Sequence, residues 1–69
     1  MIDTYKLCRN IAYARKQSGL TQSDLASRVG VSAQAVSKWE RGNSCPDIAI
    51  LDEIANALGI SLFELLGLE

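Results

Sequence analysis

Residues 20–42 read LTQSDLASRVGVSAQAVSKWERG, and this stretch decides the fold. At its centre, Gly30-Val31-Ser32 is one instance of a signal (glycine, apolar residue, hydroxyl) that recurs at Gly19-Leu20-Thr21 and Gly59-Ile60-Ser61. Each instance marks where one helix ends and the next begins. Glycine takes the left-handed conformation after a helix C-terminus at little steric cost. The hydroxyl then accepts hydrogen bonds from the first free amides of the following helix. The apolar residue between them packs on the fourth residue of the new helix: Leu20 on Leu25, Val31 on Val36, Ile60 on Leu65. These hydrophobic staples set the angle at which the chain enters each helix. Thr21 with Asp24, and Ser61 with Glu64, also approximate capping boxes.

Working outward, Gly42 ends another helix in the same way, and Pro46 suits the first turn of the next. Five helices are expected, at about 4–18, 21–29, 32–41, 47–58 and 61–66. No stretch alternates over four or more residues as a half-buried strand does. The expected fold is therefore all-α, a single domain over residues 1–69 with no internal linker. Leu7, Ile11 and Ala14 line the first helix, and Leu25, Ala26 and Val29 the second. Leu51, Ile54, Ala55 and Leu58 form a stripe at i, i+3, i+4, i+7 on the fourth. Val36 and Trp39 anchor the third, which makes the tryptophan a core residue rather than a ligand-stacking one. In the last helix Ile60, Leu62 and Leu65 are expected to close the core. Phe63, Leu66 and Leu68 exceed what one buried stripe needs and point to a partner surface.

Composition sets the limits. The chain has 69 residues, 48% apolar and 22% charged, with one Pro and five Gly. That is globular composition, without the signature of disorder. A chain of this size buries only roughly 60% of the surface its unfolded form exposes, so packing must supply stability, with self-association as one available aid. Cys8 and Cys45 are too few for a disulfide framework and read as reduced thiols, one of them semi-buried. There is no His, which removes the Ser-His and Cys-His nucleophile arrangements and the commonest nitrogen ligand for metals. Asp52 and Glu53 are adjacent and do not face one another. Catalysis, a metal, a cofactor and a small-molecule ligand are therefore not expected. No run of about 18 apolar residues exists to span a membrane, and no basic-then-apolar leader opens the chain, which points to the cytoplasm.

The net charge of −1 hides a strong asymmetry. Residues 1–45 carry all seven bases and three acids, a balance of +4. Residues 46–69 carry five acids and no base, a balance of −5. A basic front with an acidic back suits a polyanion bound on one side.

Helices 21–29 and 32–41, joined by a short Gly-containing turn, make a helix-turn-helix over about 21–41. The outward side of 32–41 carries Gln34, Ser37, Lys38 and Arg41 at i, i+3, i+4, i+7, with Ala33 beside them and no acid. These are the groups that DNA readout uses. Gln bonds adenine N6 and N7, Lys reaches guanine O6 and N7 or a phosphate, and an Ala methyl packs on a thymine methyl. With this stretch in place, the chain resembles the phage repressor and Cro-type helix-turn-helix family, the xenobiotic-response-element type of regulator. The likeness runs through Ile11, Arg15, residues 20–26, residues 29–32, residues 36–42, Pro46, Leu51 and residues 54–61, and covers about residues 5–67.

The resemblance implies a lambda-repressor-like domain of five helices that binds double-stranded DNA as a transcriptional regulator. By position it implies that Ala33, Gln34, Ser37 and Lys38 read bases. Thr21, Gln22, Ser23, Arg41, Asn43 and Ser44 would meet phosphates, with Gln22 also steadying the recognition helix. It implies a partly buried ion pair between Arg15 and Glu40. It also implies a homodimer through the C-terminal end, on a near-palindromic operator with half-sites about 34 Å apart. Ala33 departs from the pattern: it is too short for a bidentate base contact, so readout leans on Gln34 and Lys38. Arg9 and Lys16 flank the first helix as further phosphate contacts or as solvated charges. The competing reading is a protein–protein module, an antitoxin or partner-binding regulator, that acts through the apolar C-terminal helix.

Overall fold

The computed structural model describes residues 3–68; Met1, Ile2 and Glu69, the last counted above in the acidic segment, lie outside them. Asp3 opens the fold. Its carboxylate accepts the amides of Tyr5 and Lys6 at 3.0 and 3.2 Å and so caps α1, Thr4–Gln17. α2 is Gln22–Val29 and α3 is Ala33–Glu40. One 3-10 turn, Ile48–Ile50, leads into α4, Leu51–Leu58, and α5 is Leu62–Leu66. Among the described residues there is no strand.

The repeated boundary signal acts as its chemistry requires. Thr21 Oγ1 accepts from the Asp24 amide at 2.9 Å while the Asp24 carboxylate accepts from the Thr21 amide at 2.9 Å, a complete capping box. That reciprocal bond, to backbone and side chain of Thr21, holds the Asp24 carboxyl below its ordinary pKa. Ser32 and Ser61 accept from the amides of Ala35 and Glu64 at 3.1 and 2.9 Å. Gly30 sits at φ 76°, and the Val31 amide donates back to the Ala26 carbonyl at 3.0 Å, so the chain turns between α2 and α3 within three residues. Any other residue at Gly30 would be strained in that left-handed region.

The core takes one fully buried side chain from each helix: Ile11, Leu25, Val36, Ile54 and Leu65. Three of these, Leu25, Val36 and Leu65, are the staple partners. Leu20, Val31 and Ile60 lie half-buried against the same core. The residue expected to set each helix's entry angle thus packs on the core to which its expected partner belongs. Trp39 is buried with them. Burial of each such side chain contributes about 1.5–3 kcal/mol. Ser18 fastens α1 to α4 by donating to the Leu58 carbonyl at 3.2 Å. Asn10 fastens α1 to α5 by donating to the carbonyls of Glu64 and Leu65 at 3.3 and 3.0 Å.

Two expectations are corrected. The helix expected over 47–58 is interrupted near its start. The Asp47 side chain accepts from the Ala49 amide at 3.0 Å and the Leu51 amide returns to the Ile48 carbonyl, so the first turn is 3-10 and Ile48 is exposed. A short polar side chain that bonds its own backbone competes with regular helix in this way. The C-terminal apolar cluster also sorts differently. Leu66, expected at a dimer contact, is a core residue, whereas Leu62, expected to close the core, is 38% exposed. Leu62 is the first residue of α5, and its Cβ leans toward the helix start, away from the packed face.

Candidate nucleic-acid interface

α3 is held from one side and open on the other. Val36 and Trp39 are buried, while Gln34, Lys38 and Arg41 are exposed and Ser37 is half-buried. Ala33 is half-buried and packs partly against the core, which leaves Gln34 as the exposed polar group in the first turn. The Arg41 guanidinium folds back, donating from Nε to the Ser37 carbonyl at 3.3 Å.

The fixed side ends in a polar knot. The Arg15 guanidinium grips Glu40 with two of its three arms, Nε to Oε2 at 2.5 Å and Nη2 to Oε1 at 2.9 Å. Its third arm, Nη1, donates to the Leu20 carbonyl at 2.8 Å. Gln22 Nε2 donates to Glu40 Oε1 at 3.0 Å. The Arg15 and Glu40 side chains are only 12% and 8% exposed. Burial pushes the Glu40 carboxyl up, but the hydrogen bonds from Arg15 and Gln22 and the charges of Arg15 and Lys16 outweigh it, and its pKa falls below the ordinary value. The hydrogen bond to Glu40 raises Arg15 in turn. The Glu40 carboxylate therefore ties the end of α3 to α1 and to the start of α2, while Arg15 itself holds the loop between them at Leu20. Bidentate geometry orients as well as attracts, so α3 cannot rotate about its axis without breaking the fork.

Thr21 and Ser23 are exposed at the start of α2. Gln22 is half-buried with its amide on Glu40, which is the steadying contact to the helix that follows the turn. Asn43 and Ser44 are exposed in the segment after α3. Gly42 at φ 76° and the Asn43 amide bonded to the Lys38 carbonyl at 2.9 Å fix how that segment leaves the helix. Arg9 lies with its guanidinium over the Tyr5 ring, 5.6 Å from the centroid, and Lys16 is exposed. At the far end Phe63 and Leu68 are 64% and 58% exposed.

Sequence reasoning missed two contacts of consequence. The bond from Asn10 to α5 joins positions 54 and 55 residues apart, and no local pattern announces it. The other is the approach of Cys8 to the segment after α3, where its thiol points at the Ser44 carbonyl at 3.9 Å. Among the described residues no group of three or more potential metal ligands gathers.

Comparison with known proteins agrees with this geometry. The family described as helix-turn-helix matches residues 11–65. An uncharacterised HTH-type transcriptional regulator of Sinorhizobium fredii is 45% identical over 56 residues, covering 81% of this chain and 73% of the relative. The cryptic phage CTXphi transcriptional repressor RstR of Vibrio cholerae is 37% identical over 62 residues, covering 90% of this chain and 55% of that one. Among solved structures, the chain is similar to the P22 c2 repressor in complex with a synthetic operator, at 33% identity and a TM-score of 0.82, covering 91% of this chain and 96% of that one.

Proposed function

Since the chain belongs to the helix-turn-helix family of DNA-binding transcriptional regulators, we propose that α3 is its recognition helix and lies in the major groove of double-stranded DNA. One observation carries this reading. Gln34 and Lys38 stand exposed on a helix whose opposite side is locked by Val36, Trp39 and the Arg15–Glu40 fork. Base readout needs rigid placement of such groups, because a hydrogen bond to a base edge is lost within a fraction of an ångström. Gln34 and Lys38 read bases, with Ser37 and Ala33 as supporting contacts. Thr21, Ser23, Arg41, Asn43 and Ser44 meet phosphates and set register. Gln22 serves chiefly through Glu40, and any phosphate contact it makes uses its remaining N–H. No step of this reading needs a cofactor or a catalytic group.

The same reading includes a homodimer. The domain is 28 Å in its longest dimension, and recognition helices that enter successive major grooves stand about 34 Å apart, so a near-palindromic operator needs two copies. Leu62, Phe63 and Leu68 at the α5 end supply the exposed apolar surface for it. Among the described residues no helix is long and apolar enough to cross a membrane, and the reading places the protein in the cytoplasm with its DNA.

Selection of bound duplexes from a random pool, followed by titration at several salt concentrations, tests this. The expected log–log slope is about −0.9 per phosphate neutralised. Gln34→Ala should relax preference at one base pair by about 1–3 kcal/mol, and Lys38→Glu should abolish binding. Weak binding with no salt slope, together with stable hetero-association through Phe63, would instead favour the partner-binding module.

A further inference from the structure

Cys8 and Cys45 are 37 positions apart in the sequence, yet they line the same cleft. That cleft, about 320 Å³, lies between the start of α1 and the end of α3 and is walled by Tyr5, Arg9 and Arg41 among others. The Cys8 thiol is buried within α1 and donates toward the carbonyl of Ser44, the residue before Cys45. Cys45 is exposed on a segment without regular structure. Burial, and then the charge and hydrogen bond of the neighbouring Cys45, push the Cys8 thiol up from its ordinary pKa. The two thiols therefore share one cleft, and the backbone next to Cys45 lies against Cys8 Sγ. One is accessible, and the other is shielded and protonated. An attacking and a resolving thiol differ in this way.

We propose that Cys8 and Cys45 form a reversible dithiol–disulfide site that, on oxidation, ties the segment after the recognition helix to α1. The oxidant class is a low-molecular-weight disulfide that enters the cleft. The Cys45 thiolate attacks one sulfur of that disulfide, forms a mixed disulfide and expels one small thiolate. The Cys8 sulfur, giving up its proton, then attacks Cys45 Sγ and expels the second. Two protein thiols and one small disulfide become one protein disulfide and two small thiols, with both electrons passing to the small molecule. Bond formation requires the sulfurs to close to about 2.05 Å. Cys8 is held in a packed helix, so the movement falls on Cys45 and its neighbours Asn43 and Ser44. In a reducing compartment such a bond is transient, as redox-sensing disulfides are.

The test equilibrates the full chain with oxidised and reduced glutathione. It reads intact mass, melting temperature and operator affinity in each state. The expected product is a chain lighter by two hydrogens with no disulfide to a second chain. Its melting temperature should rise by about 10 °C or more, because the bridge closes a long loop in the unfolded chain. Cys45→Ser, which alters an exposed side chain, should show neither change. Cys8→Ser should stop at a glutathione adduct on Cys45. A glutathione adduct or an intermolecular dimer as the end product of the unaltered chain would overturn the site. The effect on DNA rests on the DNA-binding reading above: oxidation should weaken operator binding about tenfold, the loss of one charge-assisted hydrogen bond. Equal affinity in both states, with the reduced protein binding DNA, overturns control of the segment. A reduced protein that fails to bind DNA counts against the DNA reading, while mass and melting still decide the thiol site.

Discussion

Two junctions in this molecule use the same device and lead to opposite surfaces. Gly30-Val31-Ser32 starts α3 and Gly59-Ile60-Ser61 starts α5. The glycines sit at φ 76° and 72°, each serine caps the amide three residues on, and Val36 and Leu65 are fully buried. The backbone geometry is nearly interchangeable. The face left outward is not: α3 shows Gln34 and Lys38 to solvent, whereas α5 shows Leu62 and Phe63. Local capping chemistry builds the helix and aims it, and the residues that capping and packing leave unused decide what the helix is for.

The comparison is broken most directly at the anchors. Leu65→Ala should cost about 2–5 kcal/mol, read as a lower urea midpoint at unchanged slope. Val36→Ala removes fewer methyl groups and should cost less. If both variants melt cooperatively and only Val36→Ala also loses DNA affinity at a temperature where both are folded, the two helices have separate tasks. Equal loss of DNA affinity would show that α5 serves binding as much as α3 does.

Glu40→Ala comes next, because α3 carries the polar knot and α5 has no counterpart to it. It leaves the Arg15 guanidinium in a site only 12% exposed, at a cost of about 2–3 kcal/mol. The pH dependence has a definite sign. The Glu40 pKa is lower folded than unfolded, so its contribution is complete above the unfolded value of about 4.3 and disappears as pH falls through the folded one. Thermal melts of the parent should lose stability below about pH 4.3, and the Glu40→Ala variant should lose less over the same range.

The caps give a smaller effect. Ser32→Ala and Ser61→Ala should each cost about 1 kcal/mol. Ser32→Ala should also weaken DNA binding, since it loosens the first turn that presents Gln34. Smallest in stability is Phe63→Ser, within about 0.5 kcal/mol for an exposed side chain. It should nonetheless shift sedimentation from dimer to monomer, and an unchanged mass would remove α5 from the proposed dimer surface.

Most of the fold was legible because its signals are local. Most helix starts, the staple partners and the inward sides of α1 to α4 follow from residues no more than five apart, and Thr21, Leu25, Val36, Trp39 and Leu65 lie where such signals put them. The Arg15–Glu40 pair was legible only through family resemblance, because nothing local links positions 25 residues apart. Where the sequence misleads, the reason is equally physical. α5 has five residues, under one and a half turns, too few for periodicity to say which leucines face inward. α1 decides instead: Asn10 ties off the end of α5, and Leu66 is buried while Leu62 is left outside. Asp47 had two uses, as a helix start or as a local turn, and the structure takes the turn. The amino-acid order alone thus determined how many α-helices form, where all but α4 begin and which polar stripe α3 carries. Tertiary packing alone decided which apolar residues of α5 remain exposed, that Gln22 braces Glu40, and that two distant cysteines share a cleft, because each of these depends on chain segments that only folding brings together.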